Sequence, residues 1–477
     1  MISLSTSRPK LYYSYSILFI VAFALGILLD EKVFFFLPFV MLLIPVVISN
    51  PENLFFLLIA SLPLSTEVQV TQSLGTDLPD EFIMIGLTGL LLMMIAYRAT
   101  ILNRSVLSHP LVFLLTLHLV WVAVSCVFSV DPILSIKYLL AKLWYVAPFV
   151  FCTLVFIRKK TIAWMVLLLV VPMFFVVLQA LVRHAWVGFS FESVSKTVTP
   201  FFRNHVNYSA MLVCMVPMVW ALHKHFSNNW KPWLKLVGIV FLAGILFSYS
   251  RGAWLALVIG GLLFYAIKNK TIEWIFLVSS IVLVAGFCLL GYKNKYIDYR
   301  PDFNKTIFHT DFAEHLSATY HLRDLSTAER FYRWIAAIRL SDDHLLTGVG
   351  PNNFYNSYKP YTVSAYKTWV SNNNDHSTVH NYFLLLLCEQ GLPGMLIFIT
   401  LLFGGFYYTQ KIYHRSKDPL YKTVTITIGA ILGMITTVNF LSDLIETDKI
   451  GSLFFLSIGV LVWIDIQPVE SKQTLKP

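Results

Sequence analysis

The chain has 477 residues, of which 57% are hydrophobic and 13% charged, with a mean hydropathy of +0.68. Soluble proteins carry roughly a quarter charged residues, which excludes a soluble multidomain protein. The net charge of +10 reports membrane topology before any liking for anionic partners, and it is no sign of nucleic acid.

Apolar segments occupy approximately 12–29, 33–49, 54–64, 82–97, 111–129, 138–157, 161–182, 207–223, 234–249, 252–267, 273–292, 380–410, 423–440 and 453–466. Segment 54–64 is short for a span and the last two are modest. The expectation is an all-α polytopic membrane protein of about 12–14 transmembrane helices. Arg8 and Lys10 precede the first segment without a small-residue cleavage site, so it reads as a retained span. The five cysteines stand singly in apolar segments, with no CxxC pair and no His/Cys ligand spacing. They read as small core residues.

Loop charges orient the chain. With the N-terminus inside, cytoplasmic loops hold 18 of the 36 Lys and Arg residues, among them Arg8, Lys159 and Lys417, against 7 in the short loops opposite. Short loops set orientation, so both termini are expected in the cytoplasm. The acidic loop Glu67 to Glu81 then falls outside.

Between spans, residues 293–378 form a polar loop of about 86 residues, far longer than a connection requires. This divides the chain into an N-terminal transmembrane bundle (1–292), a loop domain (293–378) and C-terminal transmembrane helices (379–477). Within the loop, Thr327 to Leu340 reads as an amphipathic helix, with Phe331, Trp334, Ile335 and Ile338 set against Arg330, Arg333 and Arg339. Ser326 and Thr327 are its candidate caps, and GVGPNNF (Gly348–Phe354) reads as a turn.

Arg251, in FSYSRGAWLAL, sits where two segments almost touch. It is either a snorkelling arginine or an anion-binding group, because a guanidinium matches phosphate oxygens with two parallel hydrogen bonds. Arg330 is either a solvated helix residue or a second such group. Arg203, opening an outer-side span in PFFRNHVNYSA, is a third phosphate contact or an interface anchor, and Lys137 and Lys142 are weaker candidates of that kind.

The stretch Asp375 to Gly394, DHSTVHNYFLLLLCEQGLPG, sets His376, His380 and Asn381 at the mouth of an apolar helix, then interrupts it with Gly391, Pro393 and Gly394. Polar groups there are costly and mark a functional site by default. His380 is either a general base for a hydroxyl or a capping or core histidine. His376 and His380 have zinc-like spacing but no third ligand, so no metal and no cofactor is expected. No Walker A loop, dinucleotide-binding glycine pattern or DxD-like motif is present, so activated substrate has to arrive on lipid.

The order SRGAW, then STAERFYRW with GVGPNNF, then HNYFLLLLCEQGLPG resembles the O-antigen ligase and Wzy-type polymerase superfamily over roughly residues 200–410. The stretch PFFRNHVNYSA lacks the glycine and proline of the family's corresponding motif. The resemblance implies that Arg251, Arg330 and His380 carry activity; the residues themselves add Arg203, Asn381 and His376 as candidates at the substrate, with Arg203 left unsettled by the departure of its motif. It implies a glycan donor on a polyprenyl diphosphate and an active site facing the periplasm, in a multi-pass protein of the inner membrane. The acceptor would be lipid A-core, with a growing polysaccharide or a protein as alternatives. A lipid-glycan flippase would also show broken helices and intramembrane arginines, although the long outer loop argues against it.

Overall fold

A computed structural model describes residues 21, 50–71, 74–293, 295, 325–368, 371 and 378–468. The apolar segments expected at 12–29 and 33–49, and His376, lie outside the described residues apart from Val21. Two compact units divide the chain, residues 1–58 and 59–477. Of the first, residues 50–58 open helix α1 (Pro51–Ser61).

Among its described residues the second unit is mostly helical. Its helices are α2 (Asp80–Tyr97), α3 (Pro110–Val127), α4 (Pro132–Val146), α5 (Ile162–Trp186), α6 (His205–His225), α7 (Lys231–Phe247) and α8 (Arg251–Asn269). They continue with α9 (Ile272–Gly291), α10 (Leu325–Asp343), α11 (Tyr382–Arg415), α12 (Pro419–Leu441) and α13 (Asp448–Asp465). Among the described residues, eight helical stretches are long and apolar enough to cross a membrane: α2, α3, α4 prolonged to Phe156, α5 with the turn before it, α6, α8, α11 and α12. Helix α7 stops at 17 residues, and α13 carries Asp448, Lys449 and Asp465. The all-α, multi-pass membrane expectation is borne out.

Strand structure among the described residues is one hairpin, β1 (Thr66–Thr71) with β2 (Leu74–Leu78), antiparallel, with Thr66 opposite Leu78 and Glu67 opposite Asp77. It occupies the stretch read as a plain acidic loop. The alternation of Thr66, Val68 and Val70 favours extended backbone and explains the difference.

Helix α12 is the centre of the bundle, packed against α6, α8, α11 and α13. Its seam with α8 is made of glycines. A Cβ on Gly260 would lie 2.4 Å from Met434 Cε, and one on Gly433 2.2 Å from Leu263 Cδ1. Lipid gives helices no hydrophobic reason to associate, so close backbone approach through small residues does it. This seam carries the start of α8 to the end of α12.

A second clamp sits at the start of α13. Lys449 Nζ donates to the carbonyls of Ser65 and Phe201, 2.8 Å each, and lies over the Phe202 ring, while Ser65 Oγ donates to Asp448 Oδ2 at 3.2 Å. The buried amine is thus met by two carbonyls and an aromatic face, as a buried polar group requires. The strand segment, the loop before α6 and α13 meet on it.

Candidate active site

The chain turns between α7 and α8 in very few residues, helped by Tyr249 in the left-handed region (φ 54°). Arg251 is therefore the first residue of α8 and is half-buried. A Cβ on Gly252 beside it would lie 3.5 Å from Leu441 Cδ1, at the last residue of α12.

The same residue receives the loop helix. Arg330 Nε of α10 donates to the Leu441 carbonyl at 3.1 Å, and Asn381 Nδ2 donates to the Phe440 carbonyl at 3.0 Å. The last carbonyls of a helix have no partner within it and carry the negative end of its dipole. A guanidinium and an amide cap them here. Arg330 and Asn381, distant in sequence, are thereby gathered on the terminus of α12, against which Gly252, the neighbour of Arg251, also abuts.

Asn381 also accepts from Leu384 N at 3.0 Å and so caps α11. Both ends of its amide are engaged by the protein. His380 just before it takes a left-handed backbone (φ 56°), and its N–H points at Thr378 Oγ1 at 3.5 Å. This conformation is uncommon outside glycine and of the kind that persists where surrounding structure over-determines it. Burial, with Arg333 and Arg330 adding to it, holds the imidazole down to about 3. It is neutral near pH 7. Asp443, in the turn after α12, is pushed the other way. Burial raises its carboxyl and Glu446 adds to that, against a hydrogen bond from Thr378 and the charge of Arg333.

Helix α10 differs from the sequence reading in two ways. It already includes Leu325, so Ser326 and Thr327 lie in its first turn rather than capping it. Its buried face is Ala328, Tyr332, Ile335, Ala336 and Leu340, and Arg333 is only 3% exposed. Arg333 pairs with Glu329 at 3.1 Å and reaches the Thr378 carbonyl at 3.5 Å. Glu329 in turn accepts from Thr368 and from Ser371 Oγ, the latter at 2.6 Å. The helix is enclosed by α11 and by the segment around residues 359–366. Glu329, Arg330 and Arg333 find partners in the protein while Arg339 stays exposed, and periodicity alone gave no sign of that division.

The turn Gly348–Phe354 docks on α11 through Glu389, whose carboxylate accepts from Asn352 N at 2.8 Å and Phe354 N at 3.0 Å. Gly348 (φ 68°) is required by the approach, because a Cβ there would lie 2.2 Å from the Glu389 carbonyl carbon. Gly391 breaks α11 with φ 71° and ψ −179°, and Leu392 N donates to the Leu345 carbonyl at 2.7 Å. The interruption read from Gly391, Pro393 and Gly394 is a seat for the loop. On the far side of the turn, Asn353 Nδ2 donates to Ser129 Oγ and Ser135 Oγ, 2.9 Å each.

Sequence reasoning underrated one buried group. Lys142 Nζ of α4 meets Glu446 at 2.9 Å and the Tyr382 hydroxyl at 3.2 Å, while the Tyr138 hydroxyl donates to Glu446 at 2.9 Å. This pair lies directly beneath the first turn of α11. Lys137 is exposed, as is Arg203 on the loop leading into α6. Among the described residues no group of three or more His, Cys, Asp or Glu is arranged to hold a metal.

Residues 236–399 match the model of the O-antigen ligase family, a family of glycan transfer. The resemblance drawn from the three motifs is borne out over this stretch, which includes Arg251, Arg330 and His380 and leaves Arg203 outside. No curated protein matches the chain.

Proposed function

We propose, from the O-antigen ligase match of residues 236–399, that this protein moves a glycan from a polyprenyl diphosphate to an acceptor hydroxyl at the periplasmic face of the inner membrane. Lipid A-core is the first candidate acceptor, and a growing polysaccharide or a protein are the alternatives. What carries the reading is the meeting of two arginines and a neutral histidine at one helix terminus. Leu441 touches the neighbourhood of Arg251 and accepts from Arg330, and His380 lies within the field of Arg330 and Arg333.

In this mechanism Arg251 and Arg330 bind the diphosphate. Guanidinium suits phosphate because its donors form a fixed fork, and the same groups offset charge that grows on the leaving oxygen. His380 takes the acceptor's hydroxyl proton while the freed oxygen attacks the anomeric carbon. The bond from that carbon to the phosphate oxygen breaks, and its electron pair leaves with the polyprenyl diphosphate. A single displacement inverts the anomeric centre. Two fixed cations supply what a divalent metal supplies elsewhere, which makes the reaction metal-independent.

Burial, with the charges of Arg333 and Arg330 adding to it, suppresses the basicity of His380. A diphosphate held by Arg330 offsets the charge part of this suppression, so donor binding raises the imidazole from that value. The base is armed by its substrate.

The test is purified full-length protein in lipid nanodiscs with lipid-linked glycan and each candidate acceptor, scored for the acceptor that gains sugar, the configuration of the new bond, and turnover with and without chelator. An unlabelled acceptor pool, together with glycan crossing the bilayer in proteoliposomes, would replace the transferase reading with a transporter.

A further inference from the structure

We propose that Trp334 and Phe440 form a carbohydrate platform on which the first sugar of the lipid-linked donor stacks, beside the guanidinium of Arg330. This deepens the donor assignment and rests on it.

The placement follows from two helices in register. Arg330 and Trp334 stand four residues apart on α10, hence on one face, about 6 Å along the axis. Opposite them, the end of α12 presents the consecutive residues Leu441 and Phe440. Arg330 Nε takes the Leu441 carbonyl at 3.1 Å, and the Trp334 ring meets the Phe440 ring edge-to-face at 6.1 Å between centroids. The cation and the aromatic pair are thus tied to the same two elements. A sugar joined to a diphosphate through its anomeric oxygen keeps its ring beside the phosphate, and the aromatic pair stands one helical turn from Arg330.

The rings are backed and yet accessible. Phe331 lies edge-on to Trp334 at 5.6 Å and leads to Tyr366, which is wholly buried. Trp334 is half-buried and Phe440 is 40% exposed. An aromatic face carries the negative side of the ring quadrupole, and the weakly positive C–H groups of a pyranose's apolar face complement it.

Interfacial anchoring is the ordinary use of tryptophan in membrane proteins. Here Trp334 belongs to α10, which carries Glu329, Arg330, Arg333 and Arg339 and is not among the spanning helices. Its ring also faces the terminus that holds the arginine, which favours the sugar over lipid as occupant.

The experiment measures binding of two probes to full-length protein in nanodiscs: undecaprenyl diphosphate, and the same lipid bearing one pyranose. Wild type should prefer the sugar-bearing lipid by about tenfold. Trp334→Leu and Phe440→Leu should each lose most of that preference while binding bare lipid at the wild-type level, and Trp334→Phe should keep most of it. If Trp334→Leu does not fold, Phe440→Leu, at the more exposed ring, carries the test. Equal loss for both lipids, or no preference in wild type, would overturn the platform. Arg330→Ala should lose both lipids alike. A sugar preference that persists where no acceptor is ever glycosylated supports the platform and removes the transferase reading.

Discussion

Arg330 of the loop helix donates its Nε to the carbonyl of Leu441, the last residue of α12, at 3.1 Å. One hydrogen bond thus ties the polar loop to the most central membrane helix. It commits one edge of the guanidinium to the protein and so sets the direction of the rest. Arg330→Ala should remove both the tether and a charge-assisted phosphate contact, lowering donor affinity at least tenfold, as read by direct binding of lipid-linked glycan. Arg330→Lys should recover only a fraction, since a point charge cannot hold a carbonyl and a phosphate in fixed geometry. Full recovery with lysine would mean that charge alone is used.

Removal of the base should strike turnover and spare binding. His380→Asn keeps a residue tolerant of the left-handed backbone at φ 56° and deletes the imidazole. Transfer should fall by about 10²–10⁴, while donor binding stays near wild type. Wild-type turnover in this variant would remove His380 from the mechanism.

The pH profile carries a sign. His380 sits at about 3, below its ordinary 6.5, because of burial and the charges of Arg333 and Arg330. On its account kcat/KM, which reports free enzyme, should show no acidic limb near 6.5, whereas the limb of kcat should lie higher because bound diphosphate raises the imidazole. Stability has a matching slope. Below about 6.5 the unfolded chain takes a proton that the folded site refuses, so this contribution to stability falls as pH drops from 6.5 toward 3. His380→Asn should flatten that part of the curve. A free-enzyme limb at 6.5 would contradict the burial of the ring between arginines.

Glu389 should be structural. Its carboxylate accepts from Asn352 N and Phe354 N, and Glu389→Ala leaves two enclosed donors unmet at about 1–3 kcal/mol each. The expected result is a lower thermal midpoint in detergent, with turnover per folded molecule retained when the fold is rescued by added lipid. An unchanged midpoint would show that the turn Gly348–Phe354 is held by something else.

Lys142 and Glu446 should prove coupled. Lys142 is 5% and Glu446 23% exposed at the side chain, so deleting either partner strands the other in a poorly solvated site. Breaking a buried pair costs roughly 3–5 kcal/mol, and the partial exposure of Glu446 trims this to about 2–4 kcal/mol. The double variant Lys142→Met with Glu446→Gln should recover part of the loss, and a double-mutant cycle measures the coupling. Additive effects would mean that the pair is incidental.

Much of this was legible in the chain itself. Membrane class and helix positions follow from hydropathy, which is local in sequence, and the break at Gly391 follows from glycine and proline chemistry at adjacent residues. Arg251 and His380 were marked as candidates because a charge or imidazole beside an apolar segment is costly wherever it falls, and Arg330 because the motif resemblance reaches the loop helix. What tertiary structure decided was partnership. Lys142 lies 304 residues from Glu446, Glu389 is 37 residues from Asn352, and Arg330 is 111 residues from Leu441. Arg333 looked like a solvated neighbour of Arg330 until Glu329 and the Thr378 carbonyl were found closing over it. Whether a charge is solvent-facing, structural or poised for an anion depends on groups brought to it by helix packing. Periodicity shows which face of a helix is apolar, and says nothing of what that face, or the opposite one, will meet.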